Sequence, residues 1–541
     1  MKKILSMILM LVLLGCGGKK EVSKKEAETK REDQQILTFA MASDPKHMDP
    51  ALNSESVAGA LINNLFEGLM REIDGELKPG IAGEYTLSTD KKNYTFNLKK
   101  TKWSDETPLT AKDFKYSWIR AMSPETASTY AMLFFPIKNA EEFYNGKVKA
   151  EEVGITVIDD YTLEVELDAP TPYFLDLTSF YTFFPVKKEV IDTYGETWTR
   201  DVKSFISNGP FQLAKYDMGN EFSLVKNENY WNKEKISLDK IEAPIITDES
   251  TALTAFESGA VDIVSNLPSQ EIVRLSTESD EFYVNPGVGT YFYVFNNNKF
   301  PTNDLNVRKA LTFAIDRGAL VENITRGQET PAKSYIPATS AIKNSKGKIL
   351  AEGTKWEVPV KGDINKAKMY LEKAGFPNGE GFPELELLYN TSENHKAVAE
   401  AIQAMWKDNL NIDVKLTNQE WAVFLNTRGK GKYDGVARFG WSIDYPDALS
   451  MLEVFSSVGG GNSAQWIKPE FNQTLENIRF EKDGSKRDQF IHKAENMLLD
   501  DYACLPLYYY TTKFMVSSKV KGWKRASLGF WYFGDIYIDT K

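Results

Sequence analysis

The run Arg438-Phe439-Gly440-Trp441-Ser442-Ile443-Asp444-Tyr445-Pro446-Asp447 embeds an arginine and an acid in an otherwise apolar and aromatic stretch. Charged side chains in such company are either solvated or held against a partner. The alternative is an ordinary strand-to-turn transition in which Asp444 caps a turn before Pro446. Catalytic patterns are missing: there is no Gly-x-Ser-x-Gly elbow, His-Glu-x-x-His site, Gly-x-x-x-x-Gly-Lys loop or Cys-x-x-Cys pair. Only three histidines occur, and His47 and His492 have no supporting context. A hydrolase built on two carboxylates has no pattern in its favour, so no enzyme, cofactor or metal site is expected.

The elements that must position such residues are mixed. Thr110-Ala111-Lys112-Asp113 has the form of a capping box, with Phe114 and Trp118 following at helical spacing. Asn303-Asp304 precede Val307, Leu311, Ala314 and Ile315 on one apolar helix face, whereas Tyr161, Leu163, Val165 and Leu167 alternate as in a strand, as do Phe222 and Leu224. Interleaved helices and strands predict α/β lobes built on sheets. With 541 residues, 42% of them hydrophobic, the chain can bury a large core, and its length suggests three or four folding units.

The amino terminus predicts where the protein works. Met1-Lys2-Lys3 is followed by an apolar run, Ile4 to Leu14, too short to span a bilayer, and by Gly15-Cys16. Residues 1–15 read as a signal peptide and Cys16 as the lipidated first residue of the mature chain, although Leu14 departs from the residue usual in such a processing box. Residues 16–35, nearly all charged or polar beyond Gly18, read as a flexible tether. The expected place is the cell envelope, membrane-anchored and facing the periplasm or the exterior. A net charge of −11, from 65 basic and 76 acidic residues, argues against nucleic acid as a partner. Cys504 is the only cysteine after Cys16, so two body cysteines cannot pair.

Several segments resemble, in order, the bacterial periplasmic oligopeptide-binding proteins, the family 5 solute-binding proteins that serve peptide ABC transporters. They are Leu65-Phe66-Glu67-Gly68-Leu69, the stretch from Trp103 to Trp118, Asn208-Gly209-Pro210-Phe211, Asn229-Tyr230-Trp231, Val307-Arg308-Lys309-Ala310-Leu311 running to Asp316-Arg317, and the Asp444 segment. The resemblance covers nearly the whole mature chain. It implies a two-lobed periplasmic-binding-protein fold of the class II type, with an additional inserted domain and the ligand enclosed between lobes. Lobe I would comprise residues 36–69, 191–288 and 511–541, the inserted domain 70–190, and the second large lobe 289–510. The disulfide of the enteric relatives would align with Gly289 and Ser442.

The same resemblance assigns the site. Asp444 would grip the free amino group of a bound peptide, and His395, Arg428 and Arg438 match bases that meet the carboxylate of peptides of different lengths. An extra residue between Arg428 and Arg438 makes the match of Arg428 less secure. Trp421, Trp441 and Phe292, the last on the strand Tyr291-Phe292-Tyr293-Val294-Phe295, would shape side-chain pockets. Implied partners are short peptides, the permease subunits of an ABC importer and the lipid anchor, with the protein itself a monomer. Relatives that carry dipeptides, nickel chelates, haem or sugars, or that sense peptide signals, supply the alternatives within the binding class. A surface adhesin or chaperone is a third reading.

Overall fold

The computed structural model describes residues 34–540 apart from 327, 340 and 458–461. The signal peptide, Cys16 and all but the last two residues of the expected tether lie outside the described residues. No helix among those described is long and apolar enough to cross a membrane.

Local signals read from the sequence form as expected. Thr110 caps the helix Ala111–Met122, its backbone N–H donating to the Asp113 carboxylate at 2.7 Å, and the face carrying Phe114 and Trp118 is buried. Asp304 accepts from the Asn306 N–H at the start of the helix Leu305–Phe313. The alternating segments become the strands Thr162–Glu166 and Glu221–Lys226.

Three larger sheets carry the fold. One joins Ile36–Thr38, Lys240–Pro244, Glu221–Lys226 and Phe211–Asp217 in that order. A second, antiparallel sheet of Ala82–Leu87, Asn93–Leu98, Thr162–Glu166 and Ile155–Asp159 falls wholly within residues 70–190. The third runs Ile263–Val264, Cys504–Val516, Phe282–Phe295, Gly435–Ser442, Leu385–Asn390 and Val414–Gln419. Its two long central strands, Phe282–Phe295 and Cys504–Val516, run through both expected boundaries, 288/289 and 510/511.

Alternation along Phe282–Phe295 divides two cores. Tyr291, Tyr293 and Phe295 pack with Leu311, Trp406 and Val436 on one face, while Phe292 and Val294 pack with Ala437 and Phe439 on the other. Both faces are buried, as the continuous apolar run requires. Pairing with Cys504–Val516 slips between Pro286 and Thr290.

Gly289 sits at that slip, directly opposite Ser442 on the neighbouring strand, the register a cross-strand bridge would need. A Cβ there would lie 2.3 Å from the Trp441 carbonyl oxygen and 2.5 Å from Ser442 Oγ, so only glycine lets the strands approach this closely. Gly289→Ala is expected to lower stability by about 1–3 kcal/mol, read as an earlier denaturant midpoint. An unchanged midpoint would show that the strand relaxes freely.

Candidate functional site

After the strand Gly435–Ser442 the chain turns sharply. The Ile443 N–H donates to the Val288 carbonyl at 3.1 Å and the Asp444 N–H to Ser450 Oγ at 2.8 Å. The turn is capped by Asp447, whose carboxylate accepts from the Leu449 N–H at 2.9 Å, and not by Asp444. Asp444 instead lines a cavity of about 530 Å³ together with Asp176, Phe180, Tyr181, Val288 and Phe530.

The neighbouring acids make the contrast. Asp447 pairs with Arg487 at 2.9 Å and Glu453 with Arg479 at 2.6 Å. Among the described residues no basic side chain pairs with Asp444. Its one side-chain partner is Tyr130, whose hydroxyl donates to Oδ1 at 3.0 Å from 314 residues away. Surrounded by protein but open to the cavity, the carboxyl is pushed up to about 7 by loss of hydration. The Tyr130 hydrogen bond opposes that rise, and the charge of Glu453 adds to it. Tyr445, next along the chain, stacks on Tyr173 at 4.7 Å and donates its hydroxyl to Glu453 at 2.9 Å, so residues 70–190 grip the turn on both sides of Asp444.

Arg438 lies six positions before Asp444 (444 − 438), ~20 Å at most along an extended chain. With Gly440 and Ser442, on the same face of the strand, it lines a second cavity of about 350 Å³ that also touches Trp421 and Tyr510. Both cavities share Val288, Ser527 and Leu528, so they adjoin. The guanidinium lies 5.0 Å from the Tyr291 ring centre and donates to the Tyr510 hydroxyl at 3.0 Å, while its Nε has no partner. A Cβ on Gly440 would fall 1.9 Å from that hydroxyl, so glycine is what lets Tyr510 lie across the strand. No carboxylate among the described residues pairs with Arg438.

The other two bases gather around Arg438 without lining either cavity. Arg428 lies over the Phe439 ring at 3.6 Å, and burial with the nearby charge of Arg438 pushes it down to about 9. His395, in the first turn of the helix Glu393–Leu410, comes within 3.4 Å of the Tyr291 hydroxyl. Burial and then Arg438 hold it well below the usual imidazole range, so it is neutral at pH 7 and offers a hydrogen bond, not a charge.

The site therefore has an uncompensated carboxylate at one end and an uncompensated guanidinium at the other, joined by adjoining cavities. Among the described residues no group of side chains could hold a metal ion. A family model, "Bacterial extracellular solute-binding proteins, family 5 Middle", matches residues 76–463. The chain belongs to that family. It is 35% identical over 546 residues to the oligopeptide-binding protein OppA of Bacillus subtilis (strain 168), covering 99% of this chain and 98% of that one. Haemophilus influenzae OppA in complex with the peptide RPPGFSPFR superposes with a TM-score of 0.85 at 30% identity, covering 94% of this chain and 99% of that one. The Escherichia coli murein tripeptide-binding protein MppA, 33% identical, gives 0.85 in one structure, covering 94% and 99%, but 0.66 in its unliganded open form, covering 94% and 98%.

Within this family-5 framework, Asp444, Arg438 and Trp421 line the groove. Trp441 is half-buried beside it, with an unpartnered indole N–H. Phe292 is corrected: it is fully buried, stacked on Phe439 at 4.9 Å in the core, and lines neither cavity, because its parity on the strand turns it away from the Arg438 face. Tyr130 and Tyr510 were missed, and nothing in their local sequence marks them.

The raised carboxyl fixes two opposite pH dependences. From its ordinary value of 3.8 up to about 7, the empty folded protein holds the Asp444 proton more tightly than the unfolded chain does, so this group's contribution to stability falls as pH rises through that window. Capture of a cation needs the carboxylate, so affinity should rise through the same window. Asp444→Asn is expected to stabilise the empty protein at pH 8 by about 1–4 kcal/mol, with the gain fading towards pH 4. Melting curves in which the variant is less stable at pH 8 would contradict this.

Proposed function

We infer that the chain is the substrate-binding protein of an ABC importer, capturing short oligopeptides between closing lobes and delivering them to permease subunits in the membrane. One observation carries the reading. Asp444 is a carboxylate held out of water with no counter-charge of its own, in a cavity that adjoins a second one lined by an unpaired arginine. A peptide brings both missing charges, an ammonium and a carboxylate, at the two ends of a chain whose length varies. Burying either end without its partner is costly, so the groove favours ligands that carry both.

The lobes are taken as residues 36–69, 191–288 and 511–541 for the first, 289–510 for the second, and 70–190 for the inserted domain, with the slip at Pro286–Thr290 as hinge. Closure about that slip would bring Tyr130 and Tyr173 of the inserted domain onto the Asp444 turn, a contact that exists only when the groove is shut. The higher likeness to the first MppA structure than to the open form supports a closed arrangement here. The protein acts as a monomer in the cell envelope, tethered by lipid on Cys16.

Titration calorimetry with three forms of one tripeptide tests the site. Acetylating the amino group, or replacing Asp444 by Asn, should each weaken binding by about two to three orders of magnitude, from the ~3–5 kcal/mol of a broken buried pair. Amidating the carboxyl group should weaken it less, and that loss should vanish in Arg438→Ala. Equal binding of free and acetylated peptide would sink the reading.

The tether has its own check. Mass spectrometry of the amino-terminal peptide of protein taken from membranes is expected to show an acyl-modified Cys16, and Cys16→Ser should give uncleaved or mislocalised precursor. Normal release of lipid-free wild-type protein would overturn the anchor.

A further inference from the structure

The cavity that receives Asp444 is larger than an ammonium group needs, and its lining includes a second acid that the capture of peptide termini does not use. Asp176, on the short helix Phe174–Leu177, lines the same cavity as Asp444. Its carboxylate has no hydrogen bond and no ion pair from any other described residue. Loss of hydration, with a further push from the charge of Glu72, raises it to about 6, so it is ionised at neutral pH.

The other charges around the cavity are accounted for. Glu72 accepts from the Gly75 N–H at 2.6 Å and the Ser527 N–H at 2.7 Å. Arg71 is consumed by Glu67 at 2.8 Å and by the carbonyls of Asn63 and Phe66. Lys343 stands exposed on the lining with no ion pair. Three acids thus line the cavity without an ion pair, Asp444, Asp176 and Glu72, and of these Asp176 is the one that accepts no hydrogen bond from another described residue; Phe180, Leu528 and Phe530 line the same cavity. Apolar walls ending in an acid suit a side chain with a long methylene stem and a cationic head.

We propose that this cavity selects peptides whose first residue is lysine or arginine, with Asp444 taking the α-ammonium and Asp176 the side-chain cation. The first residue is the one concerned because its side chain leaves from the carbon that bears the ammonium, so both cations enter one cavity. The proposal rests on the peptide-binding reading above and narrows it to a substrate class.

The test is calorimetry on the full-length chain with trialanine, Lys-Ala-Ala, Ala-Lys-Ala, Ala-Ala-Lys and norleucine-Ala-Ala, the last keeping lysine's four-carbon stem without its ammonium. The wild type should bind Lys-Ala-Ala about tenfold more tightly than norleucine-Ala-Ala, the worth of one charge-assisted contact. Lysine at the second or third position should bring no such gain over alanine. Asp176→Asn, which keeps the shape of the side chain, should abolish the difference while leaving trialanine affinity unchanged. A missing preference, one placed at another position, or one that survives Asp176→Asn overturns the proposal while peptide capture stands. If none of the five peptides binds the wild type, the peptide reading fails and this inference falls with it.

Discussion

A carboxylate removed from water without a counter-charge is the constraint around which the rest of this molecule is arranged. Such a group is unfavourable in the folded state, and an interior ordinarily neutralises it with an arginine or lysine or exposes it. Here the means were at hand: Arg487 and Arg479 sit within the same few turns and pair with Asp447 and Glu453. Of these three acids, Asp444 is the one left without a counter-charge. Its cost is met by the stability of a chain long enough to spare it, and it is recovered only when a ligand supplies the cation. Function and folding thus pull this residue in opposite directions, as expected where a binding site keeps an unfavourable group in place.

The second constraint is that both ends of the groove hang on one strand. Gly435–Ser442 carries Arg438 and leads into the turn that carries Asp444, so only six positions (444 − 438) of chain separate the two charges. That strand is itself clamped between Phe282–Phe295 and Leu385–Asn390 in the middle of the third sheet. Facing it, residues 70–190 bring Tyr130 and Tyr173 onto the turn.

Much of this was legible in residue types. The capping box at Thr110, the Asp304 cap, the alternating strands and the family motifs all depend on neighbours in sequence, and all take their expected form. Asp444 and Arg438 could be picked out because a charge in an apolar run is anomalous wherever it folds. Phe292 could not be placed correctly by the same means. A central strand buried on both faces shows no polar alternation, so its sequence does not tell which side chains turn to the groove and which to the core. Tyr130 was invisible for a different reason: its role exists only through a contact 314 residues away, and a tyrosine in an aromatic-rich chain carries no local mark. Asp176 was equally silent, one acid among 76, distinguished only by the partners it lacks.

The choice of partners at the groove follows one rule. Tyr130 donates to Asp444, Tyr510 accepts from Arg438, and the Tyr291 hydroxyl lies within hydrogen-bond reach of His395. In each case a neutral hydroxyl does the orienting. A lysine in place of Tyr130 would hold Asp444 as firmly, but would cancel its charge and with it the reason to bind an ammonium. A carboxylate in place of Tyr510 would do the same to Arg438. Tyrosine can donate or accept one hydrogen bond while leaving the net charge of its partner untouched, and its ring fills the space that would otherwise admit water. Orientation and neutralisation are thereby separated: the protein supplies the first, and the second is left for the ligand.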